Sequence, residues 1–265
     1  MIGKGESTML TETVLNTAQP YLRGCKVRDA VVGISLLAVE LDNGNIGVSY
    51  VLREDLKSGC SIFPYGQQML GQDAADIAQW VLSGGDNLQR GIGMAVLCAA
   101  SRSQQLDDAE TPERPFGINA RATDHVGLIG YIGPVVNLLG PLVKKISIFD
   151  KGISLSGGQN SDVLPVEEQP RVLPTCDVVV LSGTTMINGT ADDLLNMCTQ
   201  AREIVMLGAS TPMFPVAFSA TKLTILAGSW WKSEHKEEIF RNISLASGIR
   251  ALSPYSIKKT VPVRA

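Results

Sequence analysis

Residues 124–150 read DHVGLIGYIGPVVNLLGPLVKKISIFD, and the order of apolar, glycine and proline positions in this stretch decides the fold. Val126, Leu128 and Ile129 make a short apolar run. Gly130-Tyr131-Ile132-Gly133 supplies a turn, and Pro134 suits a first helical position because its missing N–H costs nothing there. Ile146 to Phe149 form a second apolar run, which Asp150 ends. Strand, turn, helix, strand is half of a dinucleotide-type fold. Pro141 lies inside the expected helix 134–144 and should kink or end it.

Beyond this stretch the alternation continues. Short runs that are apolar along their whole length recur at 178–181, 204–207 and 223–227, as strands buried on both faces do. Helices are expected at 190–201, 212–219 and 234–246. The segment 162–175 carries Pro165, Pro170 and Pro174, so that crossover should be a poor helix. Residues 256–265 read as a last strand with a solvated end. Strands alternating with helices imply a parallel sheet with right-handed crossovers.

Upstream the pattern differs. Residues 8–19 place Leu10, Val14, Leu15 and Ala18 on one helical face, with Ser7 or Thr8 as a cap. Val27 to Leu41 and Ile46 to Leu52 flank Asp42-Asn43-Gly44-Asn45, a hairpin signal. The stretch 58–66 reads as irregular. Helices are expected at 73–83 and 87–101, the second with Asp86 and Gln89 at capping-box spacing. Its Gly91 and Gly93 need a close neighbour, since glycine costs about 1 kcal/mol against alanine in a helix. The acidic, proline-bearing stretch Gln104 to Pro115 reads as a linker. The expected organisation is therefore an α+β domain over 1–110 and a Rossmann-like parallel-sheet α/β domain over 111–265.

The chain has 265 residues, enough for two domains, with 45% hydrophobic and 18% charged residues. Its net charge of −3 gives no electrostatic footprint for nucleic acid. No run of some 18 apolar residues occurs, so no membrane span is expected. The opening MIGKGESTMLTE lacks the apolar core of a signal peptide, which makes a cytoplasmic location the expectation. Cys25, Cys60, Cys98, Cys176 and Cys198 are widely spaced and form no CxxC pair, so buried reduced thiols are favoured over a zinc site.

Open parallel sheets bind ligands at the carboxyl ends of their strands. The residues expected there are Gly130 and Gly133, then Asp150, then Asn188 and Thr190, then Ser210 and Thr211, then Gly228. Pro134, Thr190 and Pro212 are each expected to open a helix, and helix N-termini favour anions. Read singly, Thr190, Ser210 and Thr211 are ordinary N-caps. Asn87 and Arg90 could face the same crevice from the first domain, although a surface position is the commoner one for an arginine such as Arg90. Asp150 lies 20 residues beyond Gly130, where an acidic ribose ligand belongs, but Leu128 stands at the first glycine of GxGxxG. No Lys, His or Tyr constellation suited to hydride transfer accompanies it. His125 precedes the first strand, at the wrong end of the sheet.

Four pieces carry a resemblance: Asn87-Leu88-Gln89-Arg90-Gly91-Ile92-Gly93-Met94-Ala95, Cys176-Asp177-Val178-Val179-Val180, Asn188-Gly189-Thr190 and Gly208-Ala209-Ser210-Thr211-Pro212-Met213-Phe214-Pro215. In this order, over nearly the whole chain, they resemble the bacterial and archaeal family called the putative heavy-metal chelation domain. Ala209 departs from that pattern, where proline is expected. The resemblance implies an N-terminal domain like that of enolase, a Rossmann-like C-terminal domain and an interdomain cleft. It implies a heavy-metal ion or a metal chelate as the bound group. With no compact Cys/His cluster, a metal would be held by oxygen donors, scattered residues or a bound chelate. Enolase chemistry is not imported, because it resides in enolase's other domain.

The leading expectation is binding, with or without enzymatic processing, of a small anionic or metal-chelating molecule in the cleft. A nucleotide-cofactor-dependent enzyme (adenosyl or nicotinamide) and a non-enzymatic metal carrier are the alternatives. Trp230-Trp231 would serve either a pocket or a homo-oligomer interface.

Overall fold

The computed structural model describes residues 9–53, 56, 63–109, 111–152 and 163–264. The Ser7 or Thr8 cap, Cys60, the first part of the 58–66 loop and the boundary at residue 110 lie outside them.

The N-terminal part begins with helix α1 (Met9–Leu22) and strands β1 (Val27–Val32), β2 (Leu36–Leu41) and β3 (Ile46–Tyr50). The expected hairpin is in fact a three-stranded antiparallel sheet in the order β1-β2-β3. The run 27–41 folds back on itself at Gly33, whose N–H donates to Leu36 O. Gly33 is forced there by packing, because a Cβ would lie 2.2 Å from Ile243 O. The second turn is the expected Asn-Gly one, with Gly44 at φ 84°.

Helices α2 (Ala74–Ala78), α3 (Trp80–Ser83) and α4 (Asn87–Ser101) follow. The expected helix 73–83 is thus interrupted at Gln79. The Asp86 carboxylate accepts the Gln89 N–H, which satisfies one orphan donor of α4, and the Gln89 side chain accepts the Gly85 N–H, which ties the preceding loop to the helix. Gly93 is explained by packing: a Cβ there would sit 2.5 Å from Val81 N and 3.1 Å from Ala78 O. On its other side α4 lies directly on the sheet, where a Cβ at Gly47 would be 1.9 Å from Ala95 O.

The C-terminal part holds strands β4 (His125–Ile129), β5 (Lys145–Phe149), β6 (Val163–Leu164), β7 (Val178–Ser182), β8 (Glu203–Leu207), β9 (Ile225–Trp231) and β10 (Ser256–Pro262). They form one sheet in the order β10-β9-β8-β7-β4-β5-β6, parallel except for the β9–β10 pair. Helices α5 (Gly133–Leu139), α6 (Ala191–Met197) and α7 (Lys236–Ser244) connect or flank these strands. α5 gives way to a 3-10 turn at Gly140–Leu142, as Pro141 requires. Residues 163–175 form β6 and a succession of single turns, the poor crossover expected from their prolines.

Two expectations for this part fail. No α-helix spans 212–219; a 3-10 turn at Pro215–Phe218 stands there instead. The residue before a proline is pushed out of the α region, and Phe214, before Pro215, adopts φ −120° and ψ 76°. Second, Gly228 to Trp231 are not a turn. They are the second half of β9, paired with Lys259 to Ser256 of β10.

Packing crosses the sequence division. Leu37, Val39 and Leu41 of β2 join a core that also contains Leu181, Met206 and Phe214. Leu36, Ala38, Ile46 and Val48, on the opposite face, pack with Trp231, Ile239 and Ile243. The small sheet is therefore enclosed between α4 and α7, and Lys236 of α7 reaches Asp29 at 2.7 Å and the buried Glu40 at 3.1 Å. The acidic linker is no free tether either. Ala109 N donates to Thr260 O, Thr260 N to Asp108 Oδ1, and Lys259 Nζ to Leu106 O. It straps the outer edge of β10, an edge that would otherwise offer unpaired backbone groups.

Candidate functional site

The parallel strands in chain order β4-β5-β6 and β7-β8-β9 run outward in opposite directions from the β4–β7 junction. That junction is the topological switch point, where crevices form beyond the carboxyl ends of the strands. The turn after β4 is clasped to the end of β5. Gly130 N donates to Phe149 O at 2.8 Å, and Tyr131 N donates to Asp150 Oδ2 at 2.8 Å. Gly130 has φ 87°, and a Cβ there would come within 3.1 Å of Ser182 Cβ. Glycine is needed on both counts.

Ser182 ends β7 and caps the 3-10 turn Gly183–Met186. Its Oγ accepts from Thr184 Oγ1 at 2.9 Å and from Thr184 N at 3.4 Å. The next step along the seam is a backbone contact: a Cβ at Gly183 would meet Ser210 C at 2.6 Å and Thr211 N at 2.7 Å. Ser210, 1% exposed, reaches the N-terminal sheet, where its Oγ accepts Tyr50 N–H at 2.9 Å and lies 3.2 Å from Ser49 Oγ. Ser49 and Tyr50 O in turn border Gly91 near the start of α4. A continuous row of turns and hydroxyls thus runs from Asp150 through Ser182 and Ser210 to β3 and α4.

The nominated residues divide accordingly. Gly130, Gly133 and Asp150 lie on the β4–β5 side, and Ser210 and Thr211 lie in the interior of the seam. The Thr211 hydroxyl is buried without a hydrogen-bond partner among the described residues. Such an orphan requires a reason. Gly228 sits mid-strand beneath Met213, whose Sδ would be 2.5 Å from an added Cβ. Asn188 and Thr190 are exposed and turn toward each other: Asn188 Oδ1 accepts from Thr190 Oγ1 at 2.8 Å. Thr190 precedes α6 without a side-chain capping bond. Arg90 is half-buried, and its Nε donates to Gly84 O, tying it to its own loop. Asn87 stands in the first turn of α4.

Ser182, Ser49 and Tyr50 are not among the site residues expected from the sequence. Ser182 was detectable as the residue ending an apolar strand run. Ser49 and Tyr50 carry no such signal, because their partner Ser210 is 161 and 160 positions away. Two surface concavities lie elsewhere. One of about 560 Å³ is bordered by Ala30, Phe63 and Leu70, and one of about 340 Å³ by Leu10, Asp192 and Lys222.

The described side chains do not fit a heavy-metal centre. Among them no three His, Cys, Asp or Glu residues converge. Cys98, Cys176 and Cys198 are buried, and burial pushes the Cys176 thiol up to about 12 and Cys198 up to about 11.

Comparisons with known proteins agree with this architecture. A family described as "Putative heavy-metal chelation" matches residues 115–262, and a second with the same description matches residues 15–101. An uncharacterised protein of Methanocaldococcus jannaschii is 28% identical over 147 residues, a match spanning 54% of this chain and 55% of that protein. The crystal structure of a Pyrococcus horikoshii protein of unknown function aligns with TM-score 0.75 at 21% identity, covering 96% of this chain and 99% of that one. One from Desulfitobacterium hafniense, also of unknown function, aligns with TM-score 0.74 at 20% identity, covering 95% and 98%. These two likenesses show the fold, and both proteins are assigned to the family matched over residues 115–262.

Proposed function

The chain belongs to that family, and from this premise we propose that it binds a small anionic or metal-chelating molecule in the crevice at the switch point. The family's description points to heavy-metal chelation. The described side chains of this chain do not assemble a metal site, so in this proposal the bound molecule carries the donor atoms. The observation that carries the reading is the contact between Gly130 and Ser182. It sets the Asp150 turn beside a hydroxyl-bearing turn where doubly wound sheets take their ligands. The orphan hydroxyl of Thr211 supports a polar ligand nearby.

The roles of Gly133, Asn188, Thr190, Asn87 and Arg90 belong to the same proposal. So does a division at residue 110 into an enolase-like N-terminal unit and a Rossmann-like unit, a division in keeping with family matches ending at 101 and beginning at 115. A cytoplasmic location is proposed as well; no described helix is long and apolar enough to cross a membrane.

A thermal-shift panel tests the reading. Citrate and its iron(III) complex, as anionic chelator and chelate, should raise the melting temperature of the wild-type chain. Asp150→Ala should abolish that rise without unfolding the unliganded protein. No shift from either probe, or an undiminished shift in the variant, refutes it.

A further inference from the structure

The concavity of about 340 Å³ carries one charge of each sign on its walls, Asp192 and Lys222. Three segments distant in sequence build it: the first turn of α1, the α6 helix and residues 217–222. Lys222 precedes β9 and so stands at the amino end of that strand, whereas the crevice lies beyond the carboxyl ends. The two places are separate. A volume of this size is at the small end of ligand-binding clefts. Its buried lining is apolar, from Leu10, Leu195 and Ala217.

Neither charge has a counter-ion. Asp192 is half-buried, and its Oδ2 accepts the Leu10 N–H at a long 3.4 Å. Burial raises its carboxyl above the ordinary 3.8, and the neighbouring Asp193 adds to the rise. Lys222 Nζ donates to Cys198 O at 3.3 Å, which fixes the ammonium just past the end of α6 and uses one of its three donors. Among the described residues neither Asp192 nor Lys222 forms an ion pair, with each other or with any third group. A ligand with a single charge would match one of them and shield the other from water, which is unfavourable. A ligand with both charges matches both.

We propose that this cavity binds a small zwitterion with an apolar side chain, an α-amino acid of the leucine or methionine kind. The ligand's ammonium meets Asp192, its carboxylate meets Lys222, and its side chain covers Leu10, Leu195 and Ala217. The proposal stands independently of the crevice and adds a second site to the chain.

Calorimetric titration of the whole chain tests this. The probes are leucine, valine and methionine, and for the tightest of them the analogue lacking the ammonium and the analogue lacking the carboxylate. For leucine these are 4-methylpentanoate and 3-methylbutylamine. At least one amino acid should bind, and each analogue should bind at least about tenfold more weakly, as expected when a charge-assisted hydrogen bond is lost. Asp192→Asn and Lys222→Met should each weaken binding of the amino acid by a similar factor. The analogue comparison uses the unaltered protein, so it decides the matter even if a variant misfolds. No binding of any of the three amino acids, an analogue that binds as well as its parent, or undiminished binding by either folded variant overturns the proposal.

Discussion

Replacing Asp124 by Ala should cost about 3 kcal/mol of folding stability, the low end for removing one partner of a buried ion pair. Asp124 is 2% exposed. Its carboxylate receives Arg202 in a two-bonded fork, Nη1 to Oδ1 at 2.8 Å and Nη2 to Oδ2 at 2.7 Å, and a third bond from Arg121 N at 2.7 Å. Its backbone carbonyl meanwhile accepts Lys144 N and Lys145 N, which docks the start of β5 beside β4. Alanine keeps the carbonyl and strands the guanidinium and one N–H. The low end of the range applies because the Arg202 side chain is 25% exposed and water recovers part of the loss.

For a chain of this size the loss corresponds to a melting temperature lower by roughly 6–10 °C. Urea unfolding should show a lower midpoint at unchanged slope. The double variant Asp124→Ala/Arg202→Met should recover part of the loss, since no charge is left stranded. The pair also imposes a pH signature. Hydrogen bonding from Arg202 holds the Asp124 carboxyl below its ordinary 3.8. Its contribution is therefore complete above that value and disappears as the pH falls through the lower folded value. A wild-type-to-variant gap below about 1 kcal/mol at pH 7, the scale of an exposed pair, or a gap that does not close in acid, refutes the reasoning.

Other tests follow from the same geometry. Gly47→Ala places a Cβ against the backbone of α4 and should cost 3 kcal/mol or more, whereas Gly140→Ala, with open space around it, should change stability by less than about 1 kcal/mol in paired denaturation curves. Ser210→Ala leaves the Tyr50 N–H without its acceptor. It should cost about 1–3 kcal/mol and speed hydrogen exchange at the Tyr50 amide; unchanged exchange would contradict the latch. Burial, with Lys145 next, holds the His125 imidazole below its ordinary 6.5. Its neutral form is therefore favoured by folding, and the wild type should lose stability relative to His125→Gln as the pH falls below 6.5. A pH-independent difference between the two would disprove that reading.

Much of the architecture could be read from local pattern. The runs at 126–129, 146–149, 178–181 and 204–207 are strands because a sheet covered on both faces demands continuous apolar residues. Pro141 ends its helix, and Asn43-Gly44 makes its turn, for reasons contained in those residues alone. The misread parts each depended on a distant partner. Gly228 looks like a turn glycine, but β10 supplies the pairing that carries β9 to Trp231. Gln104 to Pro115 reads as a linker, and what its sequence does not show is that it packs along the edge of β10.

The candidate site divides in the same way. Glycines and acids after strands are visible as residue types in order, so Gly130 and Asp150 could be named. The partners that turn them into a seam, Ser182 beside Gly130 and Ser49 and Tyr50 against Ser210, come from elements far apart in the chain. By itself the sequence determined which residues form strands, where the chain turns and which glycines stand at strand ends, because backbone preference and hydrophobic periodicity act over a few residues. Only the tertiary structure decided which turns meet, which glycines serve packing and which hydroxyls lie buried together, because those outcomes depend on contact between segments that share no local signal.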